Sequence, residues 1–238
     1  MTDRVVEPLS PQEPLTPQEP LTPQEPRPQP DRDPEPDKRM TFPNPLLVVV
    51  SGPSGVGKST IVAELAERRP QVVPIVTATT RERRPGEIDK VHYHFLSVDE
   101  FEAMRADGGL LESAQVHNNW YGTPLEQVRG ILAAGRDAIL TIDPQGARSI
   151  RQRVPDALLI FVMPPSIEDL DARLAERGSE DASSLAVRRR NAEVEMASSG
   201  DYDYVIVNET GHPDDAADRI WEIIQAEARR APPRQVRV

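Results

Sequence analysis

One short stretch constrains this chain more than any other: Gly52-Pro53-Ser54-Gly55-Val56-Gly57-Lys58-Ser59. It fits G-x-x-x-x-G-K-[ST], the pattern of a phosphate-cradling loop. Its surroundings are those the mechanism requires. Leu46 to Val50 is a continuous apolar run, as expected of a strand buried on both faces. After Thr60, Ile61 to Arg69 reads as a helix with Ile61, Val62 and Leu65 on one side. Glycines let the backbone curl so that successive N–H groups converge on phosphate oxygens, and the helix N-terminus adds a favourable dipole. Lys58 is then expected to bridge the β- and γ-phosphates of a nucleoside triphosphate, and Ser59 to ligate Mg²⁺ through its hydroxyl. Such a loop specifies a donor and is silent on the acceptor.

Further apolar runs at Val72 to Val76, Ala138 to Ile142, Ala157 to Val162 and Val205 to Val207 alternate with helical stretches at 98–105, 125–134, 167–176, 185–197 and 214–229. Strands alternating with helices predict an α/β fold, a parallel P-loop-type sheet flanked by helices, over residues 45–231. Residues 232–238 are expected to fray. Residues 1–44 have another texture. The unit EPLSPQ from Glu7 recurs as EPLTPQ from Glu13 and Glu19, and thirteen of the 25 prolines fall between Pro8 and Pro45. Proline removes backbone donors and the few Leu and Val build no core, so a disordered, partly polyproline-II tail is expected. A docking segment for a proline-binding partner is the alternative.

The net charge of −11 argues against broad nucleic-acid binding but leaves room for a small nucleotide. The chain has no Cys and no stretch near the ~20 apolar residues that span a bilayer. A cytoplasmic protein without nucleic-acid or membrane partners is expected.

A second cluster, Thr77-Ala78-Thr79-Thr80-Arg81-Glu82-Arg83-Arg84-Pro85-Gly86-Glu87, precedes His92-Tyr93-His94-Phe95. Arg81 and Arg84 lie in a loop bounded by Pro85 and Gly86. Guanidinium forks suit phosphate oxygens, so the pair can clamp a monophosphate.

From Leu47 to Ala228 the chain resembles the guanylate kinase family, through SGPSGVGKST, TATTRERRPGEIDKVHYHF, LLESAQVHNNWYGTP, ILTIDPQGARSI and FVMPPSIEDLDARLAERG in that order. The resemblance implies direct in-line transfer of a phosphoryl group from ATP to GMP or dGMP with Mg²⁺. It implies a GMP-binding region at 76–125 and a lid at 164–197. Gly52 to Thr60 and Asn208 would serve ATP. Arg81 and Arg84, assisted by Tyr93 and Tyr121, would hold the GMP phosphate. Thr77, Glu112, Gly122, Thr123 and Asp143 would line the base side. Arg173, Arg177 and Arg188 would close on the ATP phosphates and act catalytically with Lys58 and Arg81.

The base side also follows from chemistry. Guanine presents an N1–H and an exocyclic amine on one edge, and a carboxylate, Glu112 or Asp143, can accept both. Adenine lacks that donor pair. The chain departs from the family's pattern at Thr141, where an acidic residue is usual, at Lys90 in place of Gly, and at Ser113-Ala114. Two other readings remain open on the residues. One is a related P-loop kinase with a different acceptor, which would not need the arginine pair. The other is a non-catalytic protein-binding module, which typically loses P-loop residues that Lys58 and Ser59 retain here.

Overall fold

The computed structural model describes residues 44–116, 118–176 and 182–238, and their side chains apart from those of 174–188. The N-terminal repeats, Arg177 and the Arg188 side chain lie outside the described residues.

The chain builds nine strands and seven helices among the described residues. The apolar run after Leu46 becomes β1 (Leu47–Ser51), buried at every position. It lies at the centre of a five-stranded sheet with β2 (Val72–Pro74), β7 (Asp137–Thr141), β8 (Leu158–Met163) and β9 (Tyr204–Val207), in the order β2-β7-β1-β8-β9. All pairings are parallel. Alternate residues feed two cores. Val48, Val50, Ile160 and Val162 pack with Ile61, Val62 and Leu65 of α1 (Lys58–Arg68) and with Ile220 and Ile224 of α7 (Pro213–Ala228). Leu47, Val49, Leu140 and Leu159 pack with Val128 of α3 (Leu125–Ala133) and Ala147 and Ile150 of α4 (Pro144–Arg153). The expected parallel sheet with flanking helices is therefore what forms.

A second, four-stranded sheet has the order β4-β3-β6-β5, with β3 at Ala78–Thr79, β4 at His94–Phe95, β5 at Leu110–Val116 and β6 at Asn119–Pro124. Phe101 of α2 (Val98–Ala106) packs on it with Ala78 and Leu110. Ser97 and Glu100 form a reciprocal capping box that starts α2. Two helices, α5 (Ile167–Glu176) and α6 (Ala182–Ala197), lie between β8 and β9 in the chain.

The C-terminal residues 232–238 do not fray. Arg234 is buried, and its Nε donates to Glu227 Oε2 at 2.7 Å while its Nη1 reaches Ala157 O at 3.2 Å. Val236 and Val238 pack on the core beside α3 and α4. A buried ion pair and two apolar anchors hold a segment that lacks helix or strand periodicity.

Candidate active site

The P-loop joins β1 to α1 with three glycines at positive φ, namely Gly52 (142°), Gly55 (86°) and Gly57 (98°). Two of them are also fixed by close approach. A Cβ on Gly52 would stand 2.3 Å from Val162 O, and one on Gly57 would stand 2.6 Å from Asn208 Nδ2. Any side chain at either position would strain the turn and collide with its support. Lys58 Nζ donates to Gly52 O at 2.6 Å and to Pro53 O at 3.0 Å, so the ammonium is held against its own loop. Ser59 and Thr60, at the start of α1, are exposed.

Asn208 follows β9 beneath this loop. Its Nδ2 donates to Val56 O at 2.7 Å, while its buried Oδ1 has no partner among the described residues. Arg173 of α5 supports the same corner, with Nη1 on Val56 O at 3.1 Å and Nη2 on Asn208 O and Thr210 Oγ1, both at 2.9 Å. Sequence reasoning expected Arg173 among the lid arginines. Here its fork is engaged by the P-loop and by the chain after β9.

A cavity of about 660 Å³ opens between the two sheets. Lys58 and Ser59 stand on its wall, as do Thr77, Tyr93, Glu112, Tyr121, Gly122 and Asp143. The β5–β6 pair puts Glu112 opposite Thr123, and the buried Thr123 Oγ1 donates to Glu112 Oε1 at 2.7 Å. Burial raises the Glu112 carboxyl to about 7, with the Thr123 hydrogen bond opposing and the Asp143 charge adding. Asp143 caps α4, its Oδ1 accepting from Gly146 N at 2.8 Å, and Pro144 occupies the first turn. The start of α4 packs close to the cavity wall: a Cβ on Gly146 would lie 3.2 Å from Ile142 Cδ1 and 3.4 Å from Glu112 Oε2.

The arginine loop flanks the cavity. Arg81 donates to Glu87 Oε2 at 3.1 Å through Nη1 and to Oε1 at 2.7 Å through Nη2. Its guanidinium carbon lies 5.5 Å from the Tyr93 ring centre and 5.7 Å from that of Phe95. Arg84 is exposed, and its backbone N–H donates to Glu87 Oε2 at 2.7 Å. The hydrogen bond from Arg81 lowers the Glu87 carboxyl to about 2, and the Arg84 N–H adds to that effect. Glu87 and Thr141 both line the cavity. Glu87 was not among the residues singled out from sequence. Its position three residues after Arg84, just beyond Pro85-Gly86, was the available signal, because a turn there brings a carboxylate back to the loop.

A β1–loop–α1 phosphate cradle on a cavity walled largely by apolar side chains, with a buried carboxylate in it and an arginine loop beside it, defines a P-loop phosphotransferase that acts on a small acceptor. The guanylate kinase family model matches residues 44–227. The guanylate kinase of Rhizobium johnstonii is 44% identical over 76% of this chain and 82% of its own. That of Symbiobacterium thermophilum is 46% identical over 79% of this chain and 88% of its own. Among solved structures, guanylate kinase from Anaplasma phagocytophilum superposes with a TM-score of 0.66 at 32% identity, over 79% of this chain and 88% of that one. The chain belongs to the guanylate kinase family. No described helix is long and apolar enough to cross a membrane.

Proposed function

We infer that the chain transfers the γ-phosphoryl group of ATP to GMP, giving ADP and GDP. The observation that carries the acceptor's identity is Glu112: a buried carboxylate, braced by Thr123, on the wall of the cavity that Lys58 and Ser59 also line. An ionised Glu112 accepts from guanine N1–H and the exocyclic amine together. An adenine there leaves the buried acceptor unpaired, which is how a polar site rejects an analogue. Asp143 and Thr77 complete the base side. Arg81, Arg84 and the Tyr93 and Tyr121 hydroxyls take the GMP phosphate. None of these roles involves the sugar 2′ position, so dGMP serves as a second acceptor.

On the donor side, the P-loop N–H groups and Lys58 take the ATP phosphates. The buried Asn208 Oδ1 beside the P-loop, without a partner among the described residues, is an acceptor suited to the adenine amine. Arg173, Arg177 and Arg188 belong to the lid side in this reading. The phosphate oxygen of GMP is anionic at neutral pH and attacks without a general base, so positioning and charge stabilisation are the protein's contribution.

The residues fit Mg²⁺ brought in with ATP. Ser59 and Asp143 line the same cavity. Among the described residues no three acidic or histidine groups gather to hold a metal alone. Mg²⁺ needs only one or two protein oxygens beside substrate phosphates and water. Held there by Ser59, the ion would supply positive charge against the phosphate oxygens. A cytoplasmic location completes the proposal.

The test is a coupled ADP-release assay with GMP, dGMP, AMP, UMP and CMP as acceptors. GMP-dependent ADP formation, lost in Lys58→Ala with the fold retained, is the expected outcome. Absence of GMP-dependent ADP formation overturns the reading.

A further inference from the structure

We propose that Glu87 is a positioning residue for phosphoryl acceptance: it ties the Arg81 guanidinium to the Arg84 turn, so that the Arg81 fork meets the acceptor's phosphate already oriented and Arg84 is presented from a fixed backbone. The inference rests on the arginine-clamp reading above and adds to it the group that aims the clamp.

The geometry is that of a knot. Glu87 Oε1 accepts from Arg81 Nη2 at 2.7 Å, and Oε2 accepts both from Arg81 Nη1 at 3.1 Å and from the Arg84 backbone N–H at 2.7 Å. One carboxylate therefore joins the side chain of one arginine to the main chain of the other. Arg81 Nη1 is also held by Glu82 O at 2.6 Å. The Arg84 carbonyl accepts in turn from Glu87 N at 3.1 Å, which closes the turn from both ends.

A guanidinium on a flexible stem loses rotamer freedom when it is fixed. Glu87 fixes it before the phosphate arrives, and binding then carries less of that loss. Arg81 has five N–H donors, so a bidentate partner on one side leaves donors for an anion on the other. The Tyr93 and Phe95 rings flank the same guanidinium and restrict it further.

Glu87 lines the cavity but is aimed at the arginines through both oxygens. Its charge offsets part of the clamp's. The loop thus gains order at the expense of raw electrostatic attraction, which favours a phosphate that fits the fork over anions in general.

The decisive experiment is a double-mutant cycle on the full chain with Arg81→Ala, Glu87→Ala and the pair, reading KM for GMP, KM for ATP and kcat, with circular dichroism to monitor the fold. Glu87→Ala is expected to raise the GMP KM about tenfold or more, with the ATP KM unchanged. Glu87→Gln should fall between it and wild type, because one acceptor oxygen remains. Because Glu87 holds Arg81 through both oxygens and Arg84 only through one backbone N–H, the effect of Glu87→Ala on the GMP KM should shrink severalfold in the Arg81→Ala background, the remainder being the Arg84 turn. An unchanged GMP KM in Glu87→Ala, or effects that multiply in the double variant, overturns the proposal while leaving the clamp in place. An unchanged GMP KM in Arg81→Ala overturns the clamp itself. If Glu87→Ala does not fold, Glu87→Gln decides alone: a raised GMP KM at constant ATP KM supports the proposal, and an unchanged one overturns it.

Discussion

The Thr123 hydroxyl donates a 2.7 Å hydrogen bond to Glu112 Oε1, and the two residues face each other across the β5–β6 pair. This pairing leaves a carboxylate buried and still able to accept from a base edge. Burial lifts its ionisation to about 7, so its charge state changes across the ordinary assay range. Only the ionised form accepts both guanine donors. The value of kcat/KM for GMP should therefore rise by up to about tenfold between pH 6 and pH 8 and then level off. In Glu112→Gln the GMP KM should rise, the preference over AMP should shrink and this pH dependence should flatten. Matched profiles for the two enzymes would contradict the role.

Asp137 makes a second pH prediction, this one on stability. It begins β7, and its Oδ1 accepts from Leu46 N at 2.8 Å. Burial raises its carboxyl to about 6, against the opposing effect of the Leu46 N–H. A carboxyl raised on folding binds protons more tightly in the native state. Its contribution to stability is present below its unfolded value and is lost as pH rises through about 6. Asn keeps the acceptor oxygen and carries no charge. Asp137→Asn should gain on wild type by about 1–2 kcal/mol between pH 5 and pH 8, read by urea denaturation at both pH values. A constant difference would show that the carboxyl does not titrate as inferred.

The main sheet was legible because its strands are continuous apolar runs and its helices carry clear periodicity; Leu46 to Val50 and Ile61 to Leu65 are examples. The second sheet was not. Two of its strands are two residues long, and β5 and β6 read Leu-Leu-Glu-Ser-Ala-Gln-Val and Asn-Trp-Tyr-Gly-Thr-Pro, without strict alternation. Helix α4 was also missed, although Asp143-Pro144 is an N-cap followed by a first-turn proline. The sequence pattern shows Asp143 as a candidate acceptor, whereas in the structure its carboxylate also caps α4. In the site, motif spacing singled out Lys58, Ser59, Thr77, Tyr93, Glu112, Tyr121, Gly122 and Asp143, which line the cavity, and Arg81, Arg84, Thr123 and Asn208, which do not. It did not find Glu87, whose contribution depends on how the loop turns back on itself.

Lys90 shows a departure from the family's pattern acquiring a physical meaning. It adopts φ of 62°, and its N–H donates to Tyr93 O at 2.7 Å. That is the left-handed region, where a Cβ is unfavourable by roughly 1–2 kcal/mol. Glycine relieves the strain but gives the unfolded chain more freedom. Lys90→Gly should therefore stabilise the protein by about 0.5–1 kcal/mol. Thermal unfolding at one pH and ionic strength is the check, and a destabilised variant would mean that the Lys90 side chain holds the turn by some other contact.

The C-terminal segment allows magnitudes to decide between two arginines. Arg234 and Glu227 are 8% and 7% exposed, and Glu227 Oε1 also accepts from Tyr204 OH at 2.7 Å. Removing the guanidinium leaves the buried Glu227 with, among the described residues, only the half-exposed Arg230, at 3.4 Å, as a cation, and breaking a buried pair typically destabilises by about 3–5 kcal/mol. Arg219 instead pairs with Glu222 at 3.0 Å on the open surface of α7, with side chains 71% and 64% exposed. Losing such a pair changes stability by about 0–1 kcal/mol. Arg234→Ala should thus shift the urea midpoint far more than Arg219→Ala does. Deleting residues 231–238 should be at least as damaging as Arg234→Ala, because Val236 and Val238 leave the core with it. The Lys58 and Glu112 sites lie on other elements, so GMP kinase activity per folded molecule should survive Arg234→Ala at low temperature. Equal midpoints for the two single variants would mean that the C-terminal segment detaches in solution.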